Sequence, residues 1–104
     1  MSKVAAIAKL TAAEGQRDAL VKVMDQLVDA VADEPGTEVY VLHLDNKDEN
    51  VIWFYELYTD KDAFKAHGNS ETMQAVIGQL GGGLLAGAPD MHLVTPHRGA
   101  GVDL

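Results

Sequence analysis

Cysteine is absent from the 104 residues. That excludes disulfides, thiolate nucleophiles and thiolate metal centres. Long apolar runs are missing too. The amino-terminal stretch MSKVAAIAKL is broken by Lys9 and is too short for a signal peptide or a membrane span. Basic residues are scarce, with 8 Lys and Arg against 16 Asp and Glu. The formal net charge is −8 and the pI lies near 4.7. Nucleic acid and anionic membranes both require a basic surface, so neither is expected as a partner. The acidity reads as a solubility feature, and a cytoplasmic protein is expected. The stretch GGGLLAG lacks the Lys and Ser/Thr of a phosphate loop and does not follow a strand. It reads as a hinge or lid, or as a plain connection. No histidine pair has a helical ligand spacing. His92 and His97, five apart, would face opposite ways on one strand, and His43 is remote from both. No metal is expected.

What remains is one folded domain, residues 1–104, with its core over about 3–96 and a carboxy-terminal tail over 97–104. The hydrophobic share of 47% is ordinary for a globular chain. Lys3 to Leu10 reads as a first strand, alanine-rich and supported by Val4, Ile7 and Leu10. From Gln16 the spacing turns helical: Leu20, Val23, Met24, Leu27, Val28 and Val31 form one stripe, and charged residues fill the other side. Glu34-Pro35-Gly36 ends that helix. Thr37 to Asp45 is a second strand, Asp45 to Asn50 a hairpin loop, and Val51 to Tyr58 a third strand. Thr59 to Asp62 offers a capping box for a short helix carrying Ala63, Phe64 and His67. Gly68-Asn69 interrupts it, and Ser70 caps a further helix with Met73, Val76, Ile77 and Leu80. Met91 to Thr95 is the last strand.

The order βαββαβ predicts an α+β, ferredoxin-like fold: a four-stranded antiparallel sheet with its helices on one face. The third strand is apolar on both faces. Val51, Trp53, Tyr55 and Leu57 share one side; Ile52, Phe54, Glu56 and Tyr58 share the other. Helices cover only one of these. A second copy covering the other predicts a homodimer with sheets face to face.

Three stretches carry a family likeness: EPGTEVYVL, VIWFYELYTDKDAFKAHGNS and LLAGAPDMHLVTP. The middle one is the specific part, with Glu-x-Tyr-x-Asp, an alanine-containing helix and His-x-x-Ser. The chain resembles the antibiotic biosynthesis monooxygenase family over roughly Lys3 to Pro96. The resemblance implies a dimeric α+β barrel and a cavity between sheet and helices for a flat aromatic or polyketide-like substrate. It implies oxidation of a small phenol or quinol by O₂ with no cofactor, since well-known members use neither metal nor flavin. Haem-degrading relatives carry tryptophan where this chain has His67 and a ligating histidine near Ile77. An aliphatic side chain cannot ligate iron, so haem is not expected.

His67 and Glu56 are the catalytic candidates. An imidazole ordinarily titrates near neutral pH and can take a phenolic proton; the plainer role for His67 is a helix-terminal cap. Glu56 would orient His67 or bind a substrate hydroxyl, or else pair with Lys61 or Lys65. A buried carboxylate needs a partner in either case. Tyr40, Trp53, Phe54, Tyr58 and Phe64 are candidate pocket walls, with Asn69 as a donor to a substrate oxygen. Strand parity separates Trp53 from Phe54 and Tyr58, and which face lines the pocket is left open. Two other functions share such a pocket: a non-catalytic ligand-binding or stress-related dimer, and an isomerase or signal-molecule-processing enzyme.

Overall fold

The computed structural model describes residues 2–104. The elements run β1 (Val4–Thr11), α1 (Arg17–Ala30), a short 3₁₀ turn (Val31–Asp33), β2 (Thr37–Leu44), β3 (Val51–Tyr58), α2 (Lys61–Gly68), α3 (Glu71–Leu80) and β4 (Asp90–Val94). The sheet is antiparallel throughout, in the order β2-β3-β1-β4. This is the expected ferredoxin-like α+β arrangement, with expected boundaries met to within a residue or two except at the end of α1. Val31 leaves the α-helix there, because the chain tightens into the 3₁₀ turn before Pro35.

Leu20, Met24 and Leu27 form the buried stripe of α1. They pack with Ala8, Leu10, Ile52, Phe54 and Val76 in one core cluster. Pairing places Ala6, Ala8 and Leu10 of β1 beside Glu56, Phe54 and Ile52 of β3, so these six share the helix-covered face. The opposite face carries Ile7, Val41, Trp53, Tyr55 and Val94 in neighbouring rungs. Val51 and Leu57 at the ends of that face are buried, whereas Ile7, Val41 and Val94 are exposed.

One local detail differs from expectation. The cap of α2 is Asp60, whose carboxylate accepts from the Ala63 amide at 2.8 Å. Thr59 is not the first member of a capping box; its hydroxyl donates to Glu38 at 2.9 Å. A one-residue shift suffices, since Asp binds an N3 amide as well as Thr does. The GGGLLAG segment is tied to the body of the fold. Leu84 and Leu85 pack on the core. The Ala13 amide donates to Leu84 at 2.8 Å, and the Ala86 amide to Thr11 at 2.9 Å. Ser70 caps α3 as expected, accepting from the Met73 amide at 3.1 Å. The carboxy-terminal tail returns to its own chain, where the Asp103 carbonyl accepts from Lys3.

Gly36 sets the distance between the turn after α1 and helix α2. A Cβ built on it would overlap the Cβ of Ala63. Its carbonyl also accepts from the Thr59 amide at 2.9 Å. The turn therefore lies directly against the first turn of α2. Replacing Gly36 by Ala must push these apart, at a cost of about 1–3 kcal/mol. We expect Gly36→Ala to lower the urea midpoint with an unchanged m-value; an unchanged midpoint would contradict this close packing.

Candidate active site

His67 sits in the last turn of α2 and is only 3% exposed. It shares a helix face with Ala63, one turn earlier. Its ring lies between two tyrosines, with centroids 4.9 Å from Tyr40 and 5.5 Å from Tyr58. Phe64 meets Tyr58 edge-on at 5.3 Å. The Nδ1 atom lies 2.8 Å from Glu34 Oε1. A carboxylate only accepts, so Nδ1 carries the hydrogen and the neutral ring has its lone pair on Nε2. Among the described residues, Nε2 is the one buried side-chain polar atom without a hydrogen-bond partner. Such an atom is costly unless something else serves it.

Glu34 is the residue that sequence reading missed. It appeared there only as part of the helix-ending Glu34-Pro35-Gly36. In the fold it follows the 3₁₀ turn and accepts twice on Oε1, from His67 and from the Thr37 hydroxyl at 2.9 Å. Glu56, expected to orient His67, does not hydrogen-bond to it. Its partner is Tyr58, two residues on and on the same strand face, whose hydroxyl donates to Oε1. Lys61 and Lys65 are exposed and make no ion pair with it. Side-chain parity explains the choice: Glu56 points under the helices, and the lysines of α2 point to water.

Glu56 and His67 both border a cavity of about 200 Å³ between the sheet and the helices. The rest of its wall is almost entirely apolar. Leu10, Met24, Leu27 and Phe54 belong to the core side; Val76, Ile77, Leu80, Pro89 and Met91 lie toward α3 and β4. Ile77 and Met91 are about half exposed, so the opening lies between α3 and β4. An alanine of β1 helps make the space: Ala8 lines the cavity, where a larger residue would fill it.

Tyr40, Phe54 and Phe64 line the cavity. Tyr58 stands behind Glu56 and His67 without lining it. Trp53 is placed elsewhere. It belongs to the opposite sheet face, donates from Nε1 to Asp45 at 2.8 Å and lies under Lys9 at 5.6 Å. One residue from Phe54 on a strand, it cannot share Phe54's face. Asn69 caps α2 with its amide on the Lys65 carbonyl, and its side chain does not border the cavity. His92 pairs with Asp90 at 3.1 Å. Among the described residues no three His, Asp or Glu side chains gather as a metal site would need.

Burial sets the electrostatics. Desolvation pushes the Glu56 carboxyl above its ordinary range, and the Tyr58 hydroxyl and any charge on His67 only partly offset it. Burial first, then the neighbouring carboxylates, pushes Tyr40 and Tyr58 up as well, so both stay O–H donors at neutral pH. Asp45, at the surface, goes the other way, to about 2, through hydrogen bonds from the backbone of Asp48 and then from Trp53.

A carboxyl raised on folding holds its proton more tightly in the native state. Its contribution is therefore present at low pH and is lost as pH rises from the unfolded value, about 4.3, through the folded one. Glu56→Gln removes that loss and keeps an acceptor for Tyr58. The urea midpoint of Glu56→Gln should gain on wild type between pH 4.5 and pH 8. A parallel pH dependence in both proteins would show that Glu56 ionises freely.

The comparisons with known proteins come down on one family. The family model described as antibiotic biosynthesis monooxygenase matches residues 3–79. A Caulobacter crescentus structure named for that family is 30% identical, with 93% of this chain and 92% of that one covered and a TM-score of 0.86. A Chloroflexus aurantiacus structure, also named for it, is 33% identical over 98% and 100% of the two chains, with a TM-score of 0.79. Rv0793 from Mycobacterium tuberculosis is 25% identical over 95% and 99%, with a TM-score of 0.86. Among curated proteins none matches. No described helix is long and apolar enough to cross a membrane. With three quarters of its length under the family model, the chain belongs to the antibiotic biosynthesis monooxygenase family.

Proposed function

We propose that this protein is a cofactor-independent monooxygenase of small phenols or quinols, with His67 as general base and Glu34 as its positioning residue. The observation that carries the reading is the buried, unpartnered Nε2 of a ring that borders the cavity and is anchored at Nδ1 by Glu34. A phenol placed in the cavity gives its proton to Nε2, and Glu34 stabilises the imidazolium that forms. The phenolate passes one electron to O₂. The resulting ring radical and superoxide join carbon to oxygen at a ring position that still bears hydrogen. Loss of that hydrogen with cleavage of O–O leaves a quinone carbonyl and releases water. The balance is one phenol and one O₂ giving one quinone and one H₂O. The apolar wall keeps bulk water from the anion, and Tyr40 is a protonated donor beside it.

The cavity bounds the substrate. At about 200 Å³ it falls below the roughly 300–1,000 Å³ of drug-sized ligand sites. One ring or two fused rings suit it better than a polyketide. A proton-transfer isomerase is favoured by one separate observation: Glu56, a carboxyl raised by burial, borders the same cavity as His67. Turnover under strict exclusion of oxygen would select that reading.

The same proposal includes a homodimer. Ile7, Val41 and Val94 are each about 40% exposed on the sheet face that no helix covers, in rungs adjoining Trp53 and Tyr55. A second sheet stacked on this face would bury them. Sedimentation should give a dimer at micromolar concentration, and Ile7→Lys at the centre of the face should shift it to monomer. A wild-type monomer under those conditions would remove the dimer.

Oxygen uptake by metal-free protein with a naphthol or naphthoquinol checks the chemistry. We expect His67→Ala to lower kcat by about 10²–10⁴-fold. Glu34→Gln should lower kcat with little change in KM, because it touches the base rather than the substrate. Uptake no greater than that of His67→Ala, across several phenols and quinols, would reject the monooxygenase.

A further inference from the structure

The charge inventory of the cavity is unusual in what it omits. Among the described residues, no lysine or arginine borders it. Its ionisable side chains are Glu56, His67 and Tyr40, with Glu34 directly behind His67. With Glu34 ionised, their summed charge is at most zero. A charged imidazole is already matched by Glu34, and an ionised Glu56 makes the total negative. Among the described residues Glu56 has a single hydrogen-bond partner, Tyr58, which leaves the carboxyl further accepting capacity. Among the described residues, His67 Nε2 has no hydrogen-bond partner.

We propose that Glu56 is the specificity-determining residue of this cavity, admitting only uncharged aromatic ligands that bring a hydrogen-bond donor and rejecting aromatic carboxylates and phosphates of the same size. The inference deepens the reading of the cavity as a substrate site and rests on it. An aromatic anion entering here leaves water for an apolar enclosure and finds no lysine or arginine, and any charge on His67 is already matched by Glu34. Where Glu56 is ionised, the anion must either share the enclosure with that carboxylate or force the group to take a proton. A hydroxyl or amide meets neither penalty, and its hydrogen offers Glu56 or Nε2 the partner each can still accept. Compounds bearing phosphate or carboxylate on the ring would therefore need that group removed or masked, by a hydrolase or a decarboxylase, before this protein could take them.

The test compares three probes of one ring system, 1-naphthol, 1-naphthamide and 1-naphthoate, by isothermal titration at pH 8 on the full chain. The amide and the carboxylate have nearly the same shape and differ in charge. Naphthol and naphthamide should bind, and naphthoate should bind at least about tenfold more weakly, the equivalent of one pKa unit. In Glu56→Gln the naphthamide-to-naphthoate ratio should fall by about tenfold. Backbone amide shifts at Gly68, Ile77 and Leu80 should report all binding at the cavity. Equal affinities in wild type, an unchanged ratio in Glu56→Gln, or no binding by any probe would overturn the proposal. If circular dichroism shows Glu56→Gln unfolded, Glu56→Met, of similar volume and without charge, carries the same expectation. Charge discrimination without oxygen uptake would leave this inference standing and remove the monooxygenase.

Discussion

The contact between Glu34 and the buried ring of His67, at 2.8 Å, is the interaction on which the site depends. It joins the turn after α1 to the last turn of α2, two segments 33 residues apart. Two backbone features bring them together. Gly36 lets the turn lie on Ala63, and its carbonyl receives the Thr59 amide at the end of β3. The pair then does two things at once. It gives a buried imidazole a carboxylate partner, without which a charged ring would be expensive there. It also commits the proton to Nδ1, leaving Nε2 free.

The second constraint is space. A small sheet packed under helices usually closes its core with large side chains. Here β1 supplies Ala8 opposite Phe54, and the volume it does not fill becomes part of the cavity. The two acids and the histidine border or back this volume, while every other group on the wall apart from Tyr40 is apolar or glycine. Polar chemistry is thus concentrated at one place in an enclosure that otherwise resembles a core. Core-forming and site-forming residues are the same stretch of β3, in which Ile52 and Phe54 pack and Glu56 faces the open volume.

The two sheet faces divide the aromatic residues between them. Phe54 and Tyr58 go under the helices with Tyr40; Tyr40 and Tyr58 flank His67, and Phe54 packs on Tyr40. Trp53 and Tyr55 go to the other face, beside the exposed Ile7 and Val41. The rung next to Val51 on that face, His43, Trp53, Lys9 and Asp90, sets Trp53 against Lys9, and Trp53 donates to Asp45. A period of two makes this separation absolute for neighbours in a strand.

By itself the sequence determined the element order, the antiparallel ferredoxin-like sheet, the parity of β3 and the break between α2 and α3. Each follows from local periodicity, from Pro35 and from Gly68-Asn69-Ser70, and needs no distant contact. It also marked His67 and Glu56, because a histidine and a carboxylate in so apolar a setting require partners. It did not determine those partners. Sequence proximity suggested that Glu56 serves His67 and that a lysine serves Glu56. The structure instead pairs His67 with Glu34 and Glu56 with Tyr58. The reason is geometric. Which carboxylate reaches a ring nitrogen depends on how closely two segments approach across the fold, and that was decided by a glycine against Ala63, not by any pattern along the chain.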